Sequence, residues 1–261
     1  MINFYKYQGA GNDFILIDNR NGVFRGDKVP FVQKWCDRRF GIGSDGLIFL
    51  EESVKSDFKM DFYNPDGSQS FCGNGSRCAV AFGRFVGIDK AQLSFEAIDG
   101  LHCAEWVGEE VKVGMHQVGG IKTYGQDEFI NTGSPHYISY QSDDIEKDVI
   151  EFGRKIRYSE EFKPAGTNVN LITVLGADHI AIRTYERGVE DETLACGTGA
   201  TACGLSYAAR RSINKGVIKV DAKGGPLKIH FTKTDRLGYF EEIWLEGPAK
   251  FVFKGELEDV D

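Results

Sequence analysis

The sequence predicts an α+β fold of two similar domains, each a strand-rich sheet wrapped on one central helix. Three observations carry that expectation. Segments of the first half recur in the second in the same order, most stretches alternate large apolar residues with period two between Gly, Asn and Asp, and one Ala-rich, Pro-free stretch in each half follows a Cys-Gly motif. At 261 residues, 41% of them hydrophobic, the chain has enough apolar material for two packed cores.

The repeat sets out the elements in order. Gly11-Asn12-Asp13-Phe14-Ile15 corresponds to Gly133-Ser134-Pro135-His136-Tyr137, and Gly43-Ser44-Asp45 to Gly166-Thr167-Asn168. The alternating Phe58-Lys59-Met60-Asp61-Phe62-Tyr63 returns as Ile180-Ala181-Ile182-Arg183-Thr184-Tyr185. Cys72-Gly73-Asn74-Gly75 returns as Cys196-Gly197-Thr198-Gly199, each followed by an Ala-rich helix, and Ser94 to Gly100 returns as Lys219 to Gly225. Leu47-Ile48-Phe49-Leu50 and Leu171-Ile172-Thr173-Val174 read as buried strands, and shorter helices are expected at Pro30 to Asp37 and Asp148 to Arg157. The period is too long for a solenoid, so each copy holds its own core. The boundary falls near Gln117-Val118-Gly119-Gly120, giving domains 1–117 and 118–249.

Charge and cysteine usage exclude several function classes. A net charge of -8 without a Lys/Arg cluster argues against a nucleic-acid surface and for small polar partners. The start Ile2-Asn3-Phe4-Tyr5-Lys6-Tyr7 has neither the basic end nor the apolar core of a signal peptide, and no long apolar span follows, so a cytoplasmic protein with no membrane partner is expected. There, six cysteines are not a disulfide framework, and without Cys-x-x-Cys or His-Glu-x-x-His no metal site is expected.

A cysteine just ahead of Gly-x-Gly and a helix has its sulfur at a helix N-terminus. Unbonded N–H groups and the positive end of the macrodipole favour a thiolate there. A lone cysteine in that place is as often a small buried hydrophobe. Duplication changes the balance: if the two domains face each other, Cys72 and Cys196 would stand on opposite sides of a shared cleft, one removing a proton from a carbon and the other returning one to its opposite face. A thiol and its thiolate are a workable acid and base near neutral pH. Cys36, Cys78, Cys103 and Cys203 lack that setting and read as structural. Asn64 matches Glu186 in the repeat, and with Arg187 these polar strand ends suit an ammonium and carboxylates, although each alone reads as a turn or a solvated strand end. His136, set opposite Asp13 by the repeat, is a candidate for tuning a cysteine.

The chain resembles the diaminopimelate epimerase family of pyridoxal-independent, two-thiol racemases over nearly its whole length. The resemblance is carried by Gly9-Ala10-Gly11-Asn12-Asp13-Phe14, Asn64-Pro65-Asp66-Gly67-Ser68, Cys72-Gly73-Asn74-Gly75-Ser76-Arg77-Cys78, Gly133-Ser134-Pro135-His136, Thr167-Asn168, Tyr185-Glu186-Arg187-Gly188 and Ala195-Cys196-Gly197-Thr198-Gly199. It implies two pseudo-symmetric halves, each a barrel-like, mostly antiparallel sheet around a helix, with a last strand within 250–261 returning to the first half. It also implies a homodimer and cofactor-independent interconversion of LL- and meso-2,6-diaminoheptanedioate for lysine and peptidoglycan precursors. By that resemblance Cys72 and Cys196 are the acid/base pair, with His136 near the first and Glu186 near the second. The backbone at Gly73-Asn74 and Gly197-Thr198 would hold the reacting carboxylate, while Asn12, Asn64, Asn168, Glu186 and Arg187 recognise the rest of the substrate. The chain departs from the common pattern at Gly46, where many members carry Gln, and at Ser134, where many carry Asn.

The rivals are a same-fold racemase or isomerase for proline, hydroxyproline or a phenazine precursor, a thiol switch or metal binder, and a phosphate binder. Asn64, Asn168 and Glu186-Arg187 favour a diamino diacid over proline, and the paired cysteines disfavour the phenazine type. Neither Gly-x-Gly turn carries the Lys-Ser/Thr of a phosphate loop.

Overall fold

Parallel strands cannot be joined by a tight turn, and the helices of this chain sit where its sheets need crossovers. The computed structural model describes residues 1–141, 148–236 and 238–258. The chain divides into two compact units, Met1–Val113 with Gly247–Asp261, and Gly114–Glu246. In the first unit, β1 (Ile2–Gly9) and β2 (Asn12–Asp18) form an antiparallel hairpin, and α1 (Lys28–Cys36) leads to β3 (Gly46–Glu51), parallel to β2. β4 (Phe58–Tyr63) runs antiparallel to β3, and α2 (Gly73–Phe85) crosses to β5 (Gln92–Ala97), parallel to β4. β6 (Gly100–Val107) and β7 (Glu110–Gly114) extend the sheet antiparallel.

The second unit repeats this pattern. After β8 (Val118–Gly119) and β9 (Lys122–Tyr124), β10 (Asp127–Asn131) pairs antiparallel with β11 (Pro135–Tyr140), and α3 (Val149–Arg157) leads to the parallel strand β12 (Asn168–Gly176). β13 (His179–Glu186) is antiparallel to β12 and carries the short β14 (Asp191–Thr193). Then α4 (Gly197–Arg210) crosses to β15 (Lys215–Ala222), parallel to β13, and β16 (Gly225–Lys233) and β17 (Tyr239–Gly247) follow antiparallel. Finally β18 (Lys250–Leu257) returns to the first unit, antiparallel to β1; residues 259–261 of the expected terminal segment lie outside the described residues. The α+β class, the mostly antiparallel sheets and the central helices are those expected. Among the described residues no helix is long and apolar enough to cross a membrane.

The small side chains of α2 and α4 let sheet approach from several sides. α2 is buried from Gly73 to Gly83 and packs on β1, β2, β3, β4 and β18; α4 is buried from Gly197 to Ala208 and packs on β10, β11, β12, β13, β15 and β16. Around α2, Phe14, Leu16, Ile48, Leu50, Met60, Phe62 and Phe82 form one core, while Ile15, Ile17, Phe31, Val32 and Phe49 form a second against α1. Helices on both faces explain why Leu47-Ile48-Phe49-Leu50 is a continuous apolar run, with each residue fully buried. Truncating a side chain such as Phe82 there costs roughly 3–5 kcal/mol.

Three expectations need correction. The first short helix begins at Lys28, because the Asp27 side chain accepts from Val29 N at 3.0 Å and caps it; Pro30 still falls within the first turn, where a missing N–H is tolerated. In Leu171-Ile172-Thr173-Val174 only the first two are buried, since β12 spans nine residues against six in β3 and its end is exposed. The repeat is also shifted by one residue at the Gly43-Ser44-Asp45 segment. Strand pairing joins Phe14 to Gly46 and His136 to Asn168, then Leu47 to Tyr63 and Val169 to Tyr185. The counterpart of Asn168 is therefore Gly46 rather than Asp45, and that of His136 is Phe14, as the aligned pentapeptides have it, so His136 does not stand opposite Asp13. Side chains alternate along a strand, so such a slip exchanges the buried face for the other.

Candidate active site

In the first unit the turn after β4 delivers Cys72 to the N-cap of α2. Its backbone is extended (φ -130°, ψ 108°) and its Sγ accepts from the Gly75 N–H at 3.4 Å. Such a donor, with the helix dipole behind it, stabilises a thiolate. On another side Sγ lies 3.9 Å from Asn12 Oδ1, an acceptor for the S–H of the thiol form. Asn12 is held in that orientation: its Nδ2 donates to Asp45 Oδ2 (2.6 Å) and its Oδ1 accepts from Asn74 Nδ2 (3.2 Å). Asp45 is in turn tied to Arg38 at 2.7 Å, and Arg38 to Asp13 at 2.6 Å. Burial alone would raise the Asp13 pKa, but hydrogen bonds from Arg38 and Lys6 outweigh it and hold the carboxyl below its usual value. Asn64, just beyond β4, donates to the Ser68 carbonyl (3.2 Å), Ser68 Oγ (3.1 Å) and Ser70 Oγ (3.2 Å), so its amide braces the loop leading to Cys72.

Below this turn lies Arg77, which sequence reasoning gave no separate role. It is fully buried; its Nη2 donates to Asn74 Oδ1 (2.9 Å) and its Nε to the Pro248 carbonyl (3.3 Å), while Nη1 is buried with no hydrogen-bond partner among the described residues. Burial pushes its pKa down to about 10, leaving a cation at neutral pH, and the sulfurs of Cys78 and then Cys72 work against that shift. The coupling is mutual, so the guanidinium favours a Cys72 thiolate. A buried cation costs stability unless something uses it. Here it fixes the Asn74 amide and pins the chain at the start of β18.

Gly46 has a structural reason. A Cβ there would lie 2.3 Å from Phe62 Cε2 and 2.9 Å from the Tyr63 carbonyl oxygen, so the Phe62 ring fills the space a side chain would need. Gly46→Gln is expected to lower stability by about 1–3 kcal/mol through overpacking, measured by urea denaturation; an unchanged midpoint would show that the ring swings aside.

In the second unit Cys196 occupies the N-cap of α4, again extended (φ -116°, ψ 112°), and is nearly buried. Its Sγ reaches Thr198 Oγ1 at 3.4 Å. Thr198 Oγ1 also lies 3.0 Å from Ser134 Oγ and 3.0 Å from His136 Nε2, and Ser134 Oγ lies 2.9 Å from the same nitrogen. The Ser134–Thr198 pair stands where Asn12–Asn74 stands in the first unit. Thr132 Oγ1 donates to the Thr198 carbonyl at 2.8 Å and steadies the helix start. His136 is fully buried; burial first, and the Arg187 charge second, push its pKa down to about 3, so the ring is neutral at physiological pH.

Asn168, at the start of β12, accepts from the Arg187 N–H (2.9 Å) and donates to the Pro135 carbonyl (3.0 Å) and Ser134 Oγ (3.4 Å), joining three of the expected site segments. Glu186 is the last residue of β13, and Arg187 follows it, half-buried, with Nη1 donating to the Ala165 carbonyl at 3.2 Å. Gly73, Asn74, Gly197 and Thr198 supply the first turns of α2 and α4, and all four are buried. Sequence reasoning missed Asn170, whose Nδ2 lies 3.2 Å from His136 Nδ1. It sits two residues beyond Asn168 and so on the same face of β12, a signal hidden by the apolar neighbours Val169 and Leu171. Of the remaining cysteines, Cys78 and Cys203 are fully buried with pKa values raised by burial, Cys36 is buried with its pKa raised for the same reason, and Cys103 is exposed.

The diaminopimelate epimerase family profile matches residues 4–120 and 128–252. A diaminopimelate epimerase of Flavobacterium psychrophilum is 47% identical over 253 residues, covering 96% of this chain and 98% of that protein. One from Chlorobaculum tepidum is 42% identical over 260 residues, covering 95% and 98%. Among solved structures, a Bacillus anthracis phenazine biosynthesis protein of the PhzF family superposes with a TM-score of 0.79 at 16% identity, covering 99% of each chain. A probable proline racemase of Agrobacterium radiobacter gives 0.71 at 14% identity, covering 99% of this chain and 93% of that one. Those two likenesses establish the shared fold, whereas the sequence relationships reach further: this chain belongs to the diaminopimelate epimerase family.

Proposed function

We propose that the protein epimerises LL-2,6-diaminoheptanedioate to the meso form, without a cofactor, using Cys72 and Cys196 as its two proton-transfer groups. The observation that carries this reading is the matched placement of the two cysteines, each the N-cap of the buried central helix of its unit. Family membership supports the substrate.

Inversion at a carbon needs a base on one face and an acid on the other. One cysteine enters as thiolate and takes the α-proton, becoming a thiol. The other enters as thiol and gives its proton to the opposite face, becoming a thiolate, so the pair ends with its charge states exchanged and the substrate neutral in proton count. Each sulfur has neighbours suited to both forms. Cys72 has the Gly75 N–H for the thiolate and Asn12 Oδ1 for the thiol; Cys196 has the Thr198 hydroxyl, which can donate or accept. Negative charge growing on the α-carboxylate as the proton leaves would be met by the N–H groups of Gly73-Asn74 and Gly197-Thr198, which face no carbonyl within their helices. His136 and Glu186 are proposed to tune the cysteines, Arg187 to bind the distal carboxylate, and Asn12, Asn64 and Asn168 to orient the amino and carboxyl groups directly or through the loops they brace. Ser134 retains hydrogen-bonding capacity, while Gly46 contributes no side chain to recognition.

We further propose a homodimer acting in the cytoplasm on this small diamino diacid. Phe251, Val252 and Phe253 of β18 are each about half exposed, which supports self-association. The deciding experiment follows α-proton exchange of LL-diaminoheptanedioate in deuterated water, with and without pyridoxal phosphate. Deuterium should enter as the meso isomer forms, at a rate that pyridoxal phosphate leaves unchanged. Exchange into proline or hydroxyproline, with none into the diamino diacid, would assign the chain to another substrate.

A further inference from the structure

The two units differ most where their equivalent strands pass beneath the cysteine-bearing helices. In the first unit, positions 14, 48 and 62 hold Phe14, Ile48 and Phe62, all in the apolar core. The pairing of β2, β3 and β4, and of β11, β12 and β13, makes their counterparts His136, Asn170 and Thr184. All three are buried, with exposures of 0%, 0% and 3%. A polar cluster replacing an apolar one in the same scaffold adds desolvation cost, and it persists only when its hydrogen bonds are complete.

They are complete in one arrangement. The Tyr137 carbonyl can only accept, so the Asn170 atom 3.1 Å from it is the amide nitrogen, and Thr184 Oγ1 donates to Asn170 Oδ1 at 2.9 Å. The second Asn170 N–H then points at His136 Nδ1, 3.2 Å away, which must offer a lone pair. A neutral imidazole with Nδ1 accepting carries its proton on Nε2. That N–H faces Thr198 Oγ1 and Ser134 Oγ, and Thr198 Oγ1 touches the Cys196 sulfur. Asn170 is also packed tightly against the helix start: a Cβ on Gly199 would lie 2.7 Å from its Oδ1. In the first unit the same place beneath Gly75 is filled by Ile48 Cδ1.

We propose that Asn170 and Thr184 are positioning residues that keep the His136 proton on Nε2, from where it is donated to the Thr198 hydroxyl and frees that hydroxyl to donate to Cys196. With a Cys196 thiolate, Thr198 accepts from His136 and donates to sulfur. With a thiol, the S–H donates to Thr198, whose own proton turns to Ser134. Both states are served by rotating hydroxyls, and His136 never takes up the substrate proton. Ionisable groups coupled to this cluster include Arg187, acting on His136, and Cys203, which is coupled to Cys196 and Glu128; none of these is altered in the variants below. The inference rests on the reading of Cys196 as a proton-transfer group, yet its test uses no turnover, so failure of the relay and failure of the epimerase reading are separable.

In protein labelled with 15N-histidine, the one-bond and two-bond couplings of His136 should report a proton on Nε2 at neutral pH. A proton on Nδ1 would overturn the assignment. Asn170→Asp places an acceptor against Nδ1 and should move the proton there; a folded variant that keeps Nε2–H removes Asn170 from the role, and if the variant does not fold the wild-type spectrum alone decides. Thr198→Val should raise the midpoint pH of Cys196 alkylation by iodoacetamide, followed on its own peptide by mass spectrometry, by about one to two units. Thr198→Ser should restore it. An unchanged midpoint in the valine variant would rule out the relay.

Discussion

Cys72→Ala and Cys196→Ala are each expected to lower LL-to-meso turnover to background while the protein remains folded. A single positioned acid or base contributes typically 10²- to 10⁴-fold. The loss here should sit at or beyond the upper end, because in the proposed two-thiol mechanism neither thiol can do the other's work: a single survivor would serve one face of the carbon and leave the opposite face without its proton-transfer group. The folding cost is small. Replacing a good N-cap by Ala costs about 0.5–2 kcal/mol, and sulfur is a weaker acceptor than the oxygen of those caps, so the Gly75 N–H bond to Cys72 is worth less than that. Cys196 makes no such cap bond, and its alanine variant loses the contact with Thr198 among others. Serine variants separate capping from chemistry, since they keep an acceptor for the backbone but ionise far too weakly to act as the base. Circular dichroism with an epimerase assay reads both outcomes, and full turnover by any of the four variants would contradict the two-thiol mechanism.

Acid should destabilise the protein through His136. Its folded pKa is about 3 against 6.5 for an unperturbed imidazole, because burial and then Arg187 oppose the charged ring. Between those values the unfolded chain binds the proton and the folded chain does not, so the group's contribution is intact above pH 6.5 and is lost as pH falls toward 3. At up to about 1.4 kcal/mol per unit, and half that slope at pH 6.5 itself, lowering the pH from 6.5 to 4.5 removes about 2 kcal/mol. His136→Gln keeps hydrogen-bonding groups in the cavity without a titrating one. Carboxylates titrate in both proteins and cancel in the difference, so urea denaturation at the two pH values should show wild type losing about 2 kcal/mol more than the variant. Equal losses would mean that His136 is hydrated or charged in the folded state.

These two effects differ in how they could be read from the chain. The cysteines are legible without coordinates: Cys-Gly-x-Gly followed by an Ala-rich run occurs twice, and a cysteine in that place caps a helix by local geometry alone. The duplication, the class of fold and the two central helices followed from the same kind of pattern, whereas the returning last strand was implied by the family resemblance. The neutrality of His136 did not, because a strand position says nothing of what closes over it. Arg77 was quoted within a motif, yet its value lies in hydrogen bonds to Asn74 and Pro248, the second distant along the chain, and in a charge felt by the Cys78 and Cys72 sulfurs.

The sequence by itself determined the periodicities, the helix starts and the doubling of the unit, because these depend on neighbours a few residues apart. Only the tertiary structure decided the register. Matching Gly43 to Gly166 suggested that Asp45 answers Asn168, whereas strand pairing puts Gly46 there. With a side-chain period of two, one residue is the whole difference between facing the helix and facing away. That choice of face makes Phe14, Ile48 and Phe62 an apolar packing layer in one unit and His136, Asn170 and Thr184 a hydrogen-bonded cluster in the other.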